Sequence, residues 1–257
     1  MISLKNVSRL LDGKQVLKDI EWEMKPEENW VLFGLNGSGK TTLLNIITGY
    51  LWPTTGQVTV LGKEFGKYPL YELRKLIGFV SSSLDKMLPG YDYAENIVLS
   101  GKYASLGLHD DFMQEDIDFA LELMERFHCT DLIHRTFETL SQGQKQKVII
   151  MRALMAKPRL LILDEPCAGL DILAREQVLG LINTIGRDLS APALIYVTHH
   201  VEEIMPVFTH IALVKNGQIY AKGSIDKILK EKIMSEFLQK EVKIDQLNNR
   251  NYLKLVN

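Results

Sequence analysis

Cysteine is nearly absent from this sequence: Cys129 and Cys167 are the only two among 257 residues. They form no CxxC pair and have no third or fourth partner, which excludes a thiolate zinc site and a disulfide-stapled scaffold. Such sparse cysteine use suits a reducing compartment. An excess of charge of one sign is missing too. Thirty Lys and Arg stand against 32 Asp and Glu, a net charge of −2, so no whole-molecule field draws the chain to nucleic acid or to an anionic membrane. The N-terminus, MISLKNVSRL, lacks the apolar segment of a signal peptide, which predicts that the chain is not exported. Residues 41–62 carry no charge and are long enough to span a bilayer, yet they include Thr, Gln, three Gly and the turn-like Pro53-Thr54-Thr55-Gly56. They read as helix, turn and strand. Internal repeats and low-complexity segments are also absent.

What is there is 46% apolar and 24% charged residues, the composition of a globular domain with ample material for a core. The length suits one large α/β domain, or a core with a subdomain. Residues 2–7 and 19–24 alternate as half-buried strands do, with Asp12-Gly13 as a turn signal between them. Trp30-Val31-Leu32-Phe33 is a continuous apolar run that predicts a strand buried on both faces, ending in Gly34. Leu43, Leu44, Ile46 and Ile47 share a helical face closed by Gly49 as C-cap. Another buried strand is expected at residues 77–80, after which residues 84–156 read as successive helices. Strands resume at 160–163 and 193–197, and 211–215 with 218–222 form a hairpin about Asn216-Gly217. Alternating strands and helices predict a mainly parallel sheet covered by helices. From Ser224 the chain reads as helical, charged and then Asn-rich, a peripheral tail.

Chemistry concentrates in three places. Gly34-Leu35-Asn36-Gly37-Ser38-Gly39-Lys40-Thr41 fits the pattern GxxxxGK[ST] between a buried strand and a helix. There the glycines let backbone N–H groups surround phosphates, Lys40 reaches the β and γ oxygens, and Thr41 binds Mg²⁺, with Thr42 beside it. A glycine-rich turn with a solvated lysine matches the same string, but the strand before and the helix after favour phosphate. Asp164-Glu165 follows the strand at 160–163 and puts two carboxylates at a sheet edge, one suited to Mg²⁺ and one to polarising an attacking water. Ser141 caps a predicted helix beginning at Gln142, so its hydroxyl and the first N–H groups suit an anion.

The segment Leu140-Ser141-Gln142-Gly143-Gln144, 23 residues from Ser141 to Asp164, is followed by Ala168-Gly169-Leu170-Asp171 and then Thr198-His199. With the phosphate loop, this order resembles the nucleotide-binding domain of ATP-binding cassette (ABC) proteins over residues 1–225. The resemblance implies an α/β P-loop NTPase fold with a RecA-like core, an N-terminal antiparallel β subdomain and an inserted helical subdomain at 84–156. Residues 226–257 are then a C-terminal helical tail. It also implies that Ser141, Gln142, Gly143 and Gln144 close over the γ-phosphate bound by a second cassette, Gln142 standing where the family usually has Gly. Asp171 matches the loop that crosses that interface, and His199 the histidine that contacts the γ-phosphate. His200 reads as an ordinary partly buried residue, and His109, His128, His134 and His210 have no role.

Two positions depart from the family pattern. Leu11 stands where an aromatic usually stacks on adenine, which implies weaker stacking. Ser82, within Ser81-Ser82-Ser83, stands where a glutamine usually reaches Mg²⁺, which implies slow basal hydrolysis. Cys167, beside the acidic pair, is assigned to packing. The function implied is an ATP- and Mg²⁺-dependent ATPase, cytoplasmic and peripheral at the inner face of the cell membrane. It would form a homodimer that drives a separate transmembrane permease, with no nucleic-acid partner. Residues 97–103 resemble a segment of metal-chelate and vitamin importers, and the serine run with Thr198-His199-His200 resembles a branch linked to molybdate transport. The alternative is a stand-alone soluble ABC ATPase, acting as a regulatory switch or on nucleic acid or the ribosome. Such proteins usually carry two cassettes or a long insertion, and this chain has a single phosphate loop.

Overall fold

The computed structural model describes residues 1–81, 87–103, 112–188 and 190–256. They divide into two compact units, Met1–Arg74 with Ala193–Asn257, and Lys75–Pro192. In the first unit, β1 (Ile2–Leu11) and β2 (Lys14–Met24) run antiparallel up to the expected turn at Asp12-Gly13, where both residues have positive φ. β3 (Trp30–Phe33) is buried at all four positions, as its unbroken apolar run requires. α1 (Lys40–Ile47) then buries Leu43, Leu44, Ile46 and Ile47. It ends in a Schellman turn: Gly49 has φ 74° and donates to the Ile46 carbonyl, while Tyr50 donates to that of Asn45. β4 (Thr55–Val60) pairs with β1 and with β5 (Lys63–Glu64), giving an antiparallel sheet of order β2-β1-β4-β5. α2 (Leu70–Lys75) closes this half. The uncharged stretch 41–62 is therefore helix, turn and strand. No helix among the described residues is long and apolar enough to cross a membrane.

The second unit opens on β6 (Ile77–Ser81). Then come α3 (Ala94–Leu99), α4 (Gln114–Arg126) and α5 (Gln142–Met155), followed by β7 (Leu160–Asp164), parallel to β6, and α6 (Ile172–Arg187). Between β6 and β7 the described residues form helices and 3₁₀ turns, with one isolated bridge, Tyr93 to Thr136. Gly101 lies so close to the Arg152 backbone of α5 that any side chain there would collide with it. The buried Arg152 donates its Nε to Ser100 Oγ at 3.2 Å. Asp188, just after α6, is held down to about 2 by the Ser190 hydroxyl and the Arg126 guanidinium.

The chain then returns to the first unit. β8 (Ala193–Thr198) and β9 (His210–Lys215) lie parallel to β3 on either side, and β10 (Gln218–Ser224) completes the order β10-β9-β3-β8. Trp22 of β2 meets Trp30 of β3 edge to face at 5.4 Å, joining the two sheets of this unit. The tail departs from expectation. α7 (Ile225–Ile228) and α8 (Glu231–Leu238) are helical, but β11 (Val242–Leu247) and β12 (Arg250–Leu255) form an antiparallel hairpin. The Asn-rich signal is its turn: Asn248 and Asn249 have φ 50° and 60°, the left-handed pair of a two-residue hairpin loop. The hairpin is tied to α8, since Val242 N–H donates to Ser235 Oγ and Ile244 N–H to Glu231 Oε1, each at 3.0 Å.

Candidate functional site

In the first unit, β3 delivers the chain into a loop whose glycines are needed for different reasons. A Cβ on Gly34 would stand 2.5 Å from the Val214 carbonyl oxygen and 2.7 Å from Ser38 Oγ, so this position is closed to any side chain. Gly37 has φ 76° and nothing within 4 Å of where its Cβ would be, leaving its backbone open on that side. Gly39, at φ 106°, is the N-cap of α1 and contributes no side-chain cap, and the first turn holds no acidic residue. The helix N-terminus thus keeps its positive potential for an external anion. Lys40 is only 6% exposed, its Nζ donating to the Gly34 and Leu35 carbonyls at 2.7 and 3.3 Å. Leu35 and Asn36 are exposed, as is Thr41, while Thr42 is half-buried. Ser38 Oγ is buried and makes no hydrogen bond among the described residues, the state of a hydroxyl that awaits an oxygen ligand. The loop therefore fits a phosphate chain.

The same unit places two other expected residues. Leu11 is half-buried at the end of the β1–β2 hairpin, paired with Lys14. β2 itself packs on the loop, its Leu17 Cδ2 and Val16 carbonyl lying 3.0 and 3.3 Å from a Cβ on Gly39. The Val16 carbonyl also occupies the side-chain space of Gly217 in the β9–β10 turn. Val16 carries no local sequence signal, because only this approach of two strands gives it a role. His199 follows Thr198 at the end of β8, its ring 4.2 Å from that of His200. His200 lies 3.4 Å from Glu202 Oε1. Glu203, also unforeseen, is 3% exposed and accepts hydrogen bonds from Tyr196 OH at 2.9 Å and Thr198 Oγ1 at 2.5 Å.

In the second unit, Asp164 closes β7 directly beside Ser81 of β6. Ser82, one residue on, lies outside the described residues. Glu165 has φ 48°, a left-handed backbone that costs a non-glycine residue roughly 1–3 kcal/mol and is concentrated at functional positions. Cys167 is buried, and burial pushes the Cys129 thiol up, so neither is a ready nucleophile. Ser141 is the N-cap of α5 in a reciprocal capping box: Gln144 N–H donates to its Oγ at 3.3 Å, and Ser141 N–H donates to Gln144 Oε1 at 3.0 Å. Both side chains are thus engaged by their own helix. Gln142 is exposed, whereas Gly143 is buried because a Cβ there would stand 2.7 Å from Ala174 Cβ of α6. Asp171 caps α6 through Ala174 N–H at 2.9 Å. The N-termini of α5 and α6 lie together, so Ser141, Gln144 and Asp171 border one shallow concavity with Ile172 and Leu173.

The family model described as ABC transporter matches residues 17–168. The chain belongs to the ABC transporter family. It is 46% identical over 254 residues to the Uncharacterized ABC transporter ATP-binding protein YlmA of Bacillus subtilis (strain 168), covering 98% of this chain and 96% of the relative. The Methionine import ATP-binding protein MetN of Clostridium acetobutylicum is 34% identical over 232 residues, covering 89% and 70%. A dimeric structure of a post-hydrolysis state of the ATP-binding cassette MJ0796, bound to ADP and Pi, superposes with a TM-score of 0.73 at 26% identity, covering 88% of this chain and 99% of that one. This ABC cassette has the P-loop NTPase fold, with an antiparallel β part beside a parallel sheet. It is an ATP-hydrolysing, nucleotide-binding subunit of an ABC transporter.

Leu11 provides a direct check on how the ABC cassette holds the base. Leu11→Tyr is expected to tighten ATP binding by about 0.5–1.5 kcal/mol, the gain of one aromatic pair, measured by titration calorimetry against GTP as competitor. Strong ATP preference unchanged in both Leu11→Tyr and Leu11→Ala would show that a different residue holds adenine.

Proposed function

We propose that two copies of this chain close around Mg-ATP and that closing and opening work a separate multi-spanning permease at the inner face of the cell membrane. Residues 1–225 make the cassette in this reading, and 226–257 are an appended segment. The observation that carries it is the exposed face at the N-termini of α5 and α6, where Ile172 and Leu173 stand 70% and 75% exposed beside Ser141, Gln144 and Asp171. Large neighbouring apolar side chains held out beside helix N-termini form a patch that a second copy covers symmetrically.

Within that dimer, Gly34 to Gly39 wrap the phosphates with backbone N–H groups, and Lys40 exchanges its two carbonyl partners for β and γ oxygens. Thr42 stands at the same helix end. Thr41 and Asp164 would hold Mg²⁺, with Ser82 through water; these are the hard oxygen donors that this ion prefers alongside phosphate. When bound, the ion neutralises charge on the β and γ oxygens. Glu165 orients and polarises the attacking water, and His199 donates to the γ-phosphate. Ser141, Gln142, Gly143 and Gln144 of the partner copy close the other side, Asp171 crosses the interface, and Leu11 packs on the base. The Methionine import relative supports import as the direction.

The test is purification of the tagged chain from gently solubilised native membranes with ATP present. A multi-spanning protein in equal number is the expected companion. Ribosomes or nucleic acid in its place would overturn the reading.

A further inference from the structure

His199 sits at the start of a short connection that no β-ladder holds, since β8 ends at Thr198 and residues 201–203 form a single 3₁₀ turn. Besides the burial of Val201 and Ile204, polar contacts from two sides hold that turn. From below, the buried Glu203 carboxylate gathers Tyr196 OH and Thr198 Oγ1, and Thr198 Oγ1 in turn accepts the His200 N–H at 3.0 Å. From outside, Arg250 donates Nε and Nη2 to the Glu202 carbonyl at 3.0 and 2.5 Å. Two donors of one rigid guanidinium on one oxygen define a direction as well as a distance, and charge strengthens both bonds.

Arg250 is itself well placed. It opens β12 directly after the left-handed Asn248-Asn249 turn and pairs with Leu247 across the hairpin. The base of the hairpin is anchored to α8, and α8 is anchored to β9 by Lys215 Nζ donating to the Phe237 carbonyl at 2.5 Å. The hairpin therefore runs from a fixed base to the turn that follows His199. We propose that the C-terminal hairpin is a strap on this turn and that Arg250 is a positioning residue for His199. Removing Arg250 takes two charged donors from the Glu202 carbonyl and loosens the outer side of a turn whose inner side stays held by Glu203 and by the buried Val201 and Ile204, so the imidazole spends less time where the γ-phosphate is cleaved. Ground-state binding of ATP rests on the phosphate loop and is left intact.

This inference rests on the reading of His199 given above, and the experiment separates the two. Steady-state ATPase kinetics on the full chain compare Arg250→Ala, Arg250→Lys, His199→Ala and the double variant His199→Ala/Arg250→Ala. Arg250→Ala is expected to lower kcat by about fivefold to tenfold, tenfold being roughly 1.4 kcal/mol, with KM for ATP nearly unchanged. Arg250→Lys, which keeps the charge but not the fork, should recover part of the loss. The double variant should be no slower than His199→Ala, because Arg250 acts only through it. Histidine-labelled protein gives a readout independent of turnover: the ring signal of His199, assigned by its loss in His199→Ala, should shift or broaden in Arg250→Ala but not in Lys254→Ala on the same hairpin. Full turnover in His199→Ala would remove the reading of His199 and the strap with it. An impaired His199→Ala together with unchanged kcat, or an unchanged His199 signal, in Arg250→Ala would overturn the strap alone. So would a loss in Arg250→Ala that Lys does not relieve and that tracks a lowered melting temperature.

Discussion

Lys40→Ala is expected to lose ATP binding, whereas Glu165→Gln keeps binding and loses turnover. Lys40 Nζ is buried at the start of α1 and is held by two carbonyls of its own loop, so its charge is already aimed at the space the loop encloses. In the proposed function the ammonium passes from neutral acceptors to phosphate oxygens, and a hydrogen bond to a charged group is worth about 1.5–3 kcal/mol. The expected loss of affinity is therefore roughly 10- to 150-fold. Glu165→Gln preserves shape and the left-handed backbone at φ 48° but removes the carboxylate that, in the proposed function, takes a proton from water. Such a loss lowers kcat by about 10²–10⁴-fold. Equilibrium binding of a fluorescent ATP analogue and phosphate release, measured side by side, check the division. Equal loss of binding in both variants would refute it.

The second large effect concerns assembly. Glu165→Gln, charged with ATP it cannot hydrolyse, is expected to run as a stable dimer, and adding Ser141→Arg should return it to monomer. Ser141 is exposed at the N-terminus of α5, so an arginine there does not disturb the core, but it fills the space above the helix end and replaces the capping box. Loss of the cap alone costs about 1 kcal/mol. Ser141→Ala in the same background is the control: it loses the cap, adds no bulk, and should keep most of the dimer. Size-exclusion chromatography with light scattering, with and without ATP, reads the doubling of mass. A Glu165→Gln protein that stays monomeric at every ATP concentration would sink the homodimer and leave a different cassette as the partner.

Much of both predictions could be read from the chain because the chemistry involved is local. The continuous apolar run before Gly34, broken by the glycine that follows, has the pattern of a strand buried on both faces and forms one. The residues after it need left-handed glycines at positions 37 and 39, and Lys40 opens a helix whose apolar spacing runs to a glycine C-cap. Ser141 with Gln144 three residues later is a capping box in sequence as in structure. The C-terminal tail, expected as helix, departs from that expectation for the opposite reason. Residues 242–255 are largely polar and alternate weakly, so a half-exposed hairpin looks like a charged tail until its two strands are seen paired around Asn248-Asn249.

The order of strand, phosphate loop and helix, the acidic pair at the end of β7 and the cap at Ser141 are legible in the sequence because each depends on residues within a few positions of one another, and the family is legible because several such local motifs follow in a fixed order. Packing of distant segments is what buries Glu203 under Thr198, carries Arg250 back 48 residues to the Glu202 carbonyl, sets Val16 in the space beside Gly39 and Gly217, and brings Gly101 against Arg152. The physical reason is that burial and close approach belong to pairs of distant segments. Neither member of such a pair carries a local pattern that names the other, and only the packed chain brings them within a hydrogen bond or a van der Waals radius.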